Sequence, residues 1–374
     1  MDRDELAAWL RLTLTPGIGN DTARRLLAAF GLPQTVFEQG SAALRQVVGP
    51  AQASALGAPP PALDAQLQAT LDWLAASDAA IQRRVVTLGD PLYPPSLLAL
   101  EDPPLLLYLL GQLDGLQAVG WPSHALSPQG LENARQFARA LRAAGLVIVS
   151  GLALGVDGAA HEGALQDAGE PEGGLATIAV IGTGIDRVYP RRHRELAHRI
   201  AARGLVVSEY PLGTPPLPAN FPRRNRLISG LSQGTLVIEA ALQSGSLITA
   251  RLASEQGKEV FAIPGSIHSP QSRGVHALIR QGAKLVETAQ DVLEELHWPA
   301  WAPAPEDPAA PDPGPDADSA ALLQALGADP VGLDALQART GLETAILQAR
   351  LLELELEGRV GRLPGGLFQR LGQA

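Results

Sequence analysis

The sequence predicts an α/β protein: a doubly wound, mostly parallel, Rossmann-like sheet, flanked by a small all-α N-terminal domain and a C-terminal winged-helix domain. Three observations carry this. Between residues 84 and 297, short continuous Val, Ile and Leu runs alternate with helical patterns, the sign of strands covered on both faces. Residues 1–80 show helical spacing only and are rich in Ala and Leu. Residues 299–320 hold seven prolines, five acids and no base, a composition that buries no core and reads as an extended linker before a last domain at 321–374. At 374 residues the chain is long for one domain, in keeping with this division.

Taken in order, the first domain contains LTPGIGNDTARRLLAAFG at residues 14–31. Gly17 and Gly19 permit a tight turn with outward amides, and Asn20 or Asp21 can cap the helix that follows. The segment resembles a helix-hairpin-helix, which can hold a DNA phosphate; an αα-hairpin that only packs on the next domain fits the same residues. In the central domain the expected strands are Leu105–Leu109, Leu116–Gly120, Leu146–Ser150, Thr177–Ile181, Leu205–Ser208, Thr235–Ile238 and Val260–Ile263. A doubly wound sheet binds its ligand at the carboxyl ends of its strands. In the last domain, helices at Ala320–Leu326, Gly332–Arg339 and Glu343–Gly358 precede a hairpin over Arg359–Leu371, which makes a winged helix. Its third helix sets Arg350 against Glu343, Glu353, Glu355 and Glu357. That is poor chemistry for meeting phosphates, so a protein contact or a packing role is expected there.

Composition narrows the function classes. The chain has no cysteine, which excludes disulfides, thiolate metal sites and cysteine nucleophiles. Its seven histidines show no close metal-ligand spacing, so neither a metal nor a cofactor is expected. The start, MDRDELAAWL, lacks the pattern of a signal peptide, and no apolar run is long enough to span a membrane. A soluble, cytoplasmic protein is expected. The net charge is −10, yet from Arg187 to Arg226 nine arginines face only Glu195 and Glu209. So one-signed a stretch reads as a patch for a polyanion.

The turns at the strand ends supply the rest of that reading. SEYPLGTPPLPANFPRRNRLISG, residues 208–230, brings Asn220, Phe221, Arg223, Arg224, Asn225 and Arg226 together after a proline-stiffened approach. Guanidinium forks suit phosphates and an aromatic face suits a base. A basic first turn opposes the helix dipole, which argues for a binding role. Arg223 and Arg224 are expected to be exposed and replaceable without loss of folding, whereas Arg226 can point inward and tie the helix to the sheet. In VSGLALGVDGAAHEGAL, Ser150 and Gly151 turn the chain and Gly155 starts the next helix close to the sheet. Asp157 and His161 share a face of that helix; with no nucleophile or metal beside them, they read as a structural hydrogen bond rather than an acid–base pair. The glycine spacing does not match a dinucleotide fingerprint, so NAD is not expected. IGTGIDRVYPRRHREL offers Gly182, Thr183 and Gly184, with Tyr189 to stack and Arg191, Arg192 and Arg194 for charge. Ser244, Gly245 and Ser246 open a further helix with hydroxyls and amides. On one sheet edge these turns would form a groove that follows several phosphates of a nucleic acid strand.

These motifs, with EAALQSGSLITARLASEQGKEVFAIPGSI and LIRQGAKLV after them in the same order, resemble the DNA-processing protein A (DprA, or Smf) family over nearly all of residues 84–297. The resemblance implies a protein of natural transformation that binds single-stranded DNA and helps to load the RecA recombinase, as a homodimer and without catalysis. It also implies that the region of Val275, His276, Leu278, Ile279 and Leu285 joins two subunits; the spacing alone fits equally a helix packed on its own sheet. One departure stands out. Where the family has Gly-Ser-Arg at the end of the second core strand, this chain has Gly120-Trp121-Pro122, so Trp121 replaces an arginine contact and is expected to stack a base or to pack inward. A competing reading is a Rossmann-like phosphoribohydrolase acting on nucleotides, from GLSQGTLVIEA at Gly230–Ala240 with Glu239 as its acid. The spacing departs by one residue and lacks a paired arginine.

Overall fold

In the computed structural model, residues 1–77, 81–113, 120–121, 123–124, 128–166, 174–298, 317–327, 329–363 and 366–371 are described. The central strands are β1 (Gln82–Thr87), β2 (Leu106–Gly111), β3 (Gly120–Trp121), β4 (Ser123–His124), β5 (Val147–Ser150), β6 (Thr177–Val180), β7 (Leu205–Ser208), β8 (Gly234–Val237), β9 (Glu259–Ala262) and β10 (Lys284–Leu285). One sheet runs β1-β2-β7-β6-β5-β3 and the other β10-β9-β8-β4. Because β3 and β4 lie within Gly120–His124, the two sheets share that stretch of chain. On one side of it follow β5, β6 and β7, on the other β8, β9 and β10, all parallel. That reversal of winding opens a crevice at the carboxyl ends of β5 and β8.

The strands VIVS, TIAV, LVVS and GTLV of β5 to β8 are buried along their whole length, as expected of strands covered by helices on both faces. On one face, Leu227 and Ile228 of the helix Asn220–Leu231 join Val149, Val180 and Val207 in one buried cluster. Each such side chain, fully buried, contributes about 1.5–3 kcal/mol. This face therefore fixes which side of that helix looks inward.

Two antiparallel pairings extend the sheet, β1 with β2 and β2 with β7. The sequence pattern does not announce β1, because its first half is Gln82-Arg83-Arg84 and only Val85, Val86 and Thr87 are buried. Of the expected strand Leu116–Gly120, residues 116–119 lie outside the described residues, and Gly120 opens β3.

The N-terminal helices Arg3–Leu14, Asn20–Phe30 and Leu63–Ala75 bury Trp9, Leu26 and Leu67 in a cluster that continues into Val85 and Tyr108 of β1 and β2. Trp73 meets Tyr108 edge to face at 5.9 Å. Gly17 sits at φ +78°, the left-handed turn its lack of a side chain allows. The following helix opens on Gly19 without a side-chain cap, and Asn20 instead reaches Asp102, its Nδ2 donating to Oδ2 at 3.2 Å.

The C-terminal unit has helices Ala317–Leu326, Leu333–Thr340 and Thr344–Leu356, and strands β11 (Val331–Gly332), β12 (Val360–Leu363) and β13 (Leu367–Arg370) paired β11-β13-β12, a winged helix. The rest of the proline-rich linker, residues 299–316, lies outside the described residues. Among the described residues, no helix is long and apolar enough to cross a membrane, and no group of three or more His, Asp or Glu could hold a metal.

Two of the five residues expected at a subunit surface need correction. Val275 and Leu278, 0% and 9% exposed, belong to a cluster with Val237, Ala250 and Ala262 beneath their own helix, Arg273–Arg280. Three residues apart, they share the inward face, so their apolar spacing records core packing. His276 is tied through Nε2 to the Gly265 carbonyl at 2.9 Å, Ile279 is half-buried, and Leu285 stays exposed on the edge strand β10.

Candidate nucleic-acid interface

Around the carboxyl ends of β5 and β8 the helix starts at Val156, Asn220 and Gly245 enclose a cleft of about 240 Å³. Leu154, Asp157, Phe221, Arg224, Glu239 and Ser246 are among the residues that line it. The floor is the most tightly built part. Arg224 is 4% exposed, and its Nη1 donates to the Val180 carbonyl at 2.7 Å. Burial lowers its pKa, and the nearby Asp157 charge acts against that loss. A Cβ on Gly151 would lie 1.6 Å from Arg224 Nη1, so only glycine leaves room for the guanidinium. Ser150, fully buried, donates through Oγ to Asp157 Oδ1 at 2.8 Å, and the Ala153 amide donates to Oδ2 at 3.0 Å. Ser150 thus holds a carboxylate rather than facing a ligand, and Arg224 lies at the base of the cleft, not on the surface as expected.

His161 is tied to a strand end of its own. Thr177 Oγ1 donates to the Ile148 carbonyl at 2.6 Å, so it accepts from His161 Nδ1 at 2.7 Å. Nδ1 therefore carries a proton, and Nε2, buried without a partner, has no acceptor for a second one, so the ring is neutral near pH 7. Burial pushes the pKa down to about 4; the Asp157 charge opposes this, and His193 and Arg224 add to it. Below the ordinary value of 6.5 the unfolded chain takes up a proton that the folded protein refuses until about 4. Stability from this group is therefore complete above pH 6.5 and falls by about 3 kcal/mol as pH drops toward 4. Denaturant unfolding at neutral and acidic pH checks this: His161→Gln should lose less stability on acidification than the parent. An equal loss in both would place the acid sensitivity elsewhere.

The β6 turn is scaffold as well. Asn220, 7% exposed, donates through Nδ2 to the Gly182 carbonyl at 3.0 Å. Thr183 Oγ1 donates to the Arg187 carbonyl, and the Gly184 amide donates to the Thr214 carbonyl at 3.0 Å. A side chain on Gly184 would strike the Pro211 carbonyl at 2.7 Å. These groups shape the turn, and the Gly184 amide offers nothing to a phosphate. Gly182 has a different use: it lies flat under Phe221, whose Cδ1 would come within 3.2 Å of a Cβ there.

What remains accessible forms a coherent outer face. The rings of Tyr189 and Phe221 lie 5.6 Å apart, tilted at 43°, with Tyr189 49% exposed. Arg191, Arg192 and Arg223 are exposed and make no ion pair among the described residues. Arg226 is not free. It forms a bidentate pair with Glu209, both contacts 2.6 Å, the inward-pointing alternative that the sequence left open. Ser244 caps the helix Gly245–Glu255, accepting from the Ser246 amide at 3.3 Å, and Gly245 is exposed beside it. Asn225, 8% exposed, lines the cleft. Trp121 lies on β3 opposite Ile148; its side chain, and the role expected of it, fall outside what is described.

Sequence reasoning missed the apolar walls, Leu154 and Ile248, 54% and 44% exposed. The available signal was position: Leu154 lies in the turn just before the helix that starts at Val156, and Ile248 lies in the first turn of the helix that starts at Gly245.

Residues 84–297 match the family model described as DNA recombination-mediator protein A, and residues 304–366 match that of the DprA winged helix domain. Protein Smf of Escherichia coli is 42% identical over 323 residues, which cover 82% of each chain. DNA processing protein DprA of Streptococcus pneumoniae is 48% identical over 214 residues, 56% of this chain and 73% of the relative. Among solved structures, the X-ray structure of DprA from S. pneumoniae superposes with a TM-score of 0.60 at 37% identity, covering 79% of this chain and 98% of that one. DprA from Helicobacter pylori, described as having a unique single-stranded DNA binding mode, superposes with a TM-score of 0.51 at 32% identity, covering 57% and 96%.

Proposed function

The chain belongs to the DNA recombination-mediator protein A family, and from that membership and the geometry of the cleft we propose that it binds single-stranded DNA through the outer face just described. The observation that carries this reading is the pair of exposed Tyr189 and half-buried Phe221, with Arg191, Arg192 and Arg223 exposed beside them in the chain. Unstacked bases, which only a single strand offers, lie on the rings, while the guanidiniums follow the phosphates. Arg224 sets a positive floor for whatever enters the cleft, and Leu154, Phe221 and Ile248 give it apolar walls. Gly245 and the hydroxyls of Ser244 and Ser246 stand at the opposite rim. The role is a binding one, without catalysis, in the cytoplasm. As a mediator the protein acts as a homodimer that hands the bound strand to the RecA recombinase; this part rests on family membership.

Binding of a labelled oligonucleotide, single-stranded or as a blunt duplex of equal length, across a salt series tests the reading. The single strand should bind more tightly at every salt concentration. With three free arginines on phosphates, the log–log slope should be about −2, at roughly 0.7 per contact. Equal affinity for strand and duplex throughout would refute a strand-selective groove.

A further inference from the structure

A chain of four charged side chains runs from the N-terminal helices to the helix that carries Phe221 and Arg223. Arg24 Nη1 donates to Asp102 Oδ1 at 2.9 Å, and its Nη2 donates to the Glu101 carbonyl at 3.0 Å. On the other side of Asp102, Arg226 donates through Nε to the Asp102 carbonyl at 3.0 Å and approaches Oδ2 at 3.6 Å. Arg226 then closes the bidentate pair with Glu209, which follows the last residue of β7. Its Nη1 also reaches the Arg223 carbonyl at 3.3 Å. The four charges cancel, so the chain adds little field of its own at the groove. Its inner half is sheltered, with the side chains of Arg226 and Glu209 16% and 13% exposed, while those of Arg24 and Asp102 are 24% and 48% exposed.

Packing follows the same line. The short helix Pro95–Leu98, which leads to Asp102, lies against the arginine helix, where a Cβ on Gly230 would strike Leu97 Cδ2 at 2.8 Å. The N-terminal helices therefore reach the DNA-binding face through a fixed contact, although Arg24 is not among the residues lining the cleft.

We propose that Asp102 is a positioning residue for the groove: gripped by Arg24 on one side and Arg226 on the other, it lets the N-terminal helices set the placement of Phe221 and Arg223. This rests on the single-strand reading above. Arg24→Ala removes no group from the groove, yet it should raise the dissociation constant for a single-stranded oligonucleotide roughly three- to tenfold, the scale of a coupling carried through a packed network. The salt slope should not change, because no phosphate contact is lost. Asp102→Ala should act in the same direction, and the double variant should be little worse than either alone, since both break one chain of contacts. Arg24→Lys should restore most of the affinity.

Unchanged affinity in both single variants while melting falls would overturn the proposal and leave the network a purely structural clasp. Tighter binding by Asp102→Ala would overturn it too, by showing that the carboxylate acts only through repulsion of phosphate. Hydrogen exchange of the amides at 220–226 in the DNA-free protein supplies a readout that does not need DNA. Faster exchange in Arg24→Ala supports the coupling even if the parent protein binds no single strand, an outcome that would defeat the functional reading instead. Unchanged exchange defeats the coupling.

Discussion

Replacement of Phe221 by alanine should weaken single-strand binding by about 1–3 kcal/mol, roughly five- to 150-fold, while leaving duplex binding nearly as it was. The ring is half-buried; it rests on Gly182 and stands 5.6 Å from Tyr189. One face is thus supported by the protein and the edge toward Tyr189 extends the platform. Removing it takes away the stacking surface and also loosens Tyr189, so Phe221→Leu, which restores bulk but not an aromatic face, separates the two effects. Titration of both variants with a labelled oligonucleotide, alongside thermal unfolding, gives the answer. If Phe221→Leu binds as well as the parent, the side chain acts by filling space. If affinity per folded molecule is kept while melting collapses, Phe221 is a core residue.

Gly151→Ala should lower stability by about 3 kcal/mol or more. The added carbon would lie 1.6 Å from Arg224 Nη1, so the guanidinium must leave its place. Moving it strips the Val180 carbonyl of its donor and removes the positive partner that faces Asp157. Leaving a buried charge without its compensating neighbour is what makes such changes costly. Gly245→Ala is the control, since a Cβ there would meet nothing within 4 Å, and it should be nearly neutral. Urea unfolding of both variants checks the contrast; a Gly151→Ala protein as stable as the parent would show that Arg224 relocates freely. By the same geometry, Arg224→Ala is a change of the fold, whereas Arg223→Ala is a change of binding only.

Much of this was legible in the chain. Continuous runs such as VIVS, TIAV and LVVS announce strands buried on both faces, because no alternation leaves a polar side for water. Turns that follow them mark the ligand edge, since a doubly wound sheet has its crevice there. Strand β1 was not legible: Gln-Arg-Arg looks like surface, and only pairing with β2 makes Val85 and Val86 core. Val275 and Leu278 show the converse. An apolar pair at helical spacing says that a face is covered, but not whether by its own sheet or by another subunit; here its own sheet covers them.

The sequence by itself determined most of the central strands, the glycine turns and the concentration of positive charge between Arg187 and Arg226. Only the tertiary structure decided which of those charges are available. Arg223, Arg224 and Arg226 are near neighbours in sequence, yet a helix turns about 100° per residue, so they leave its axis in three directions. Which direction faces inward depends on Leu227 and Ile228 settling against Val149, Val180 and Val207. That packing sends Arg224 to the floor beside Asp157, Arg226 to Glu209 and Asp102, and Arg223 to solvent.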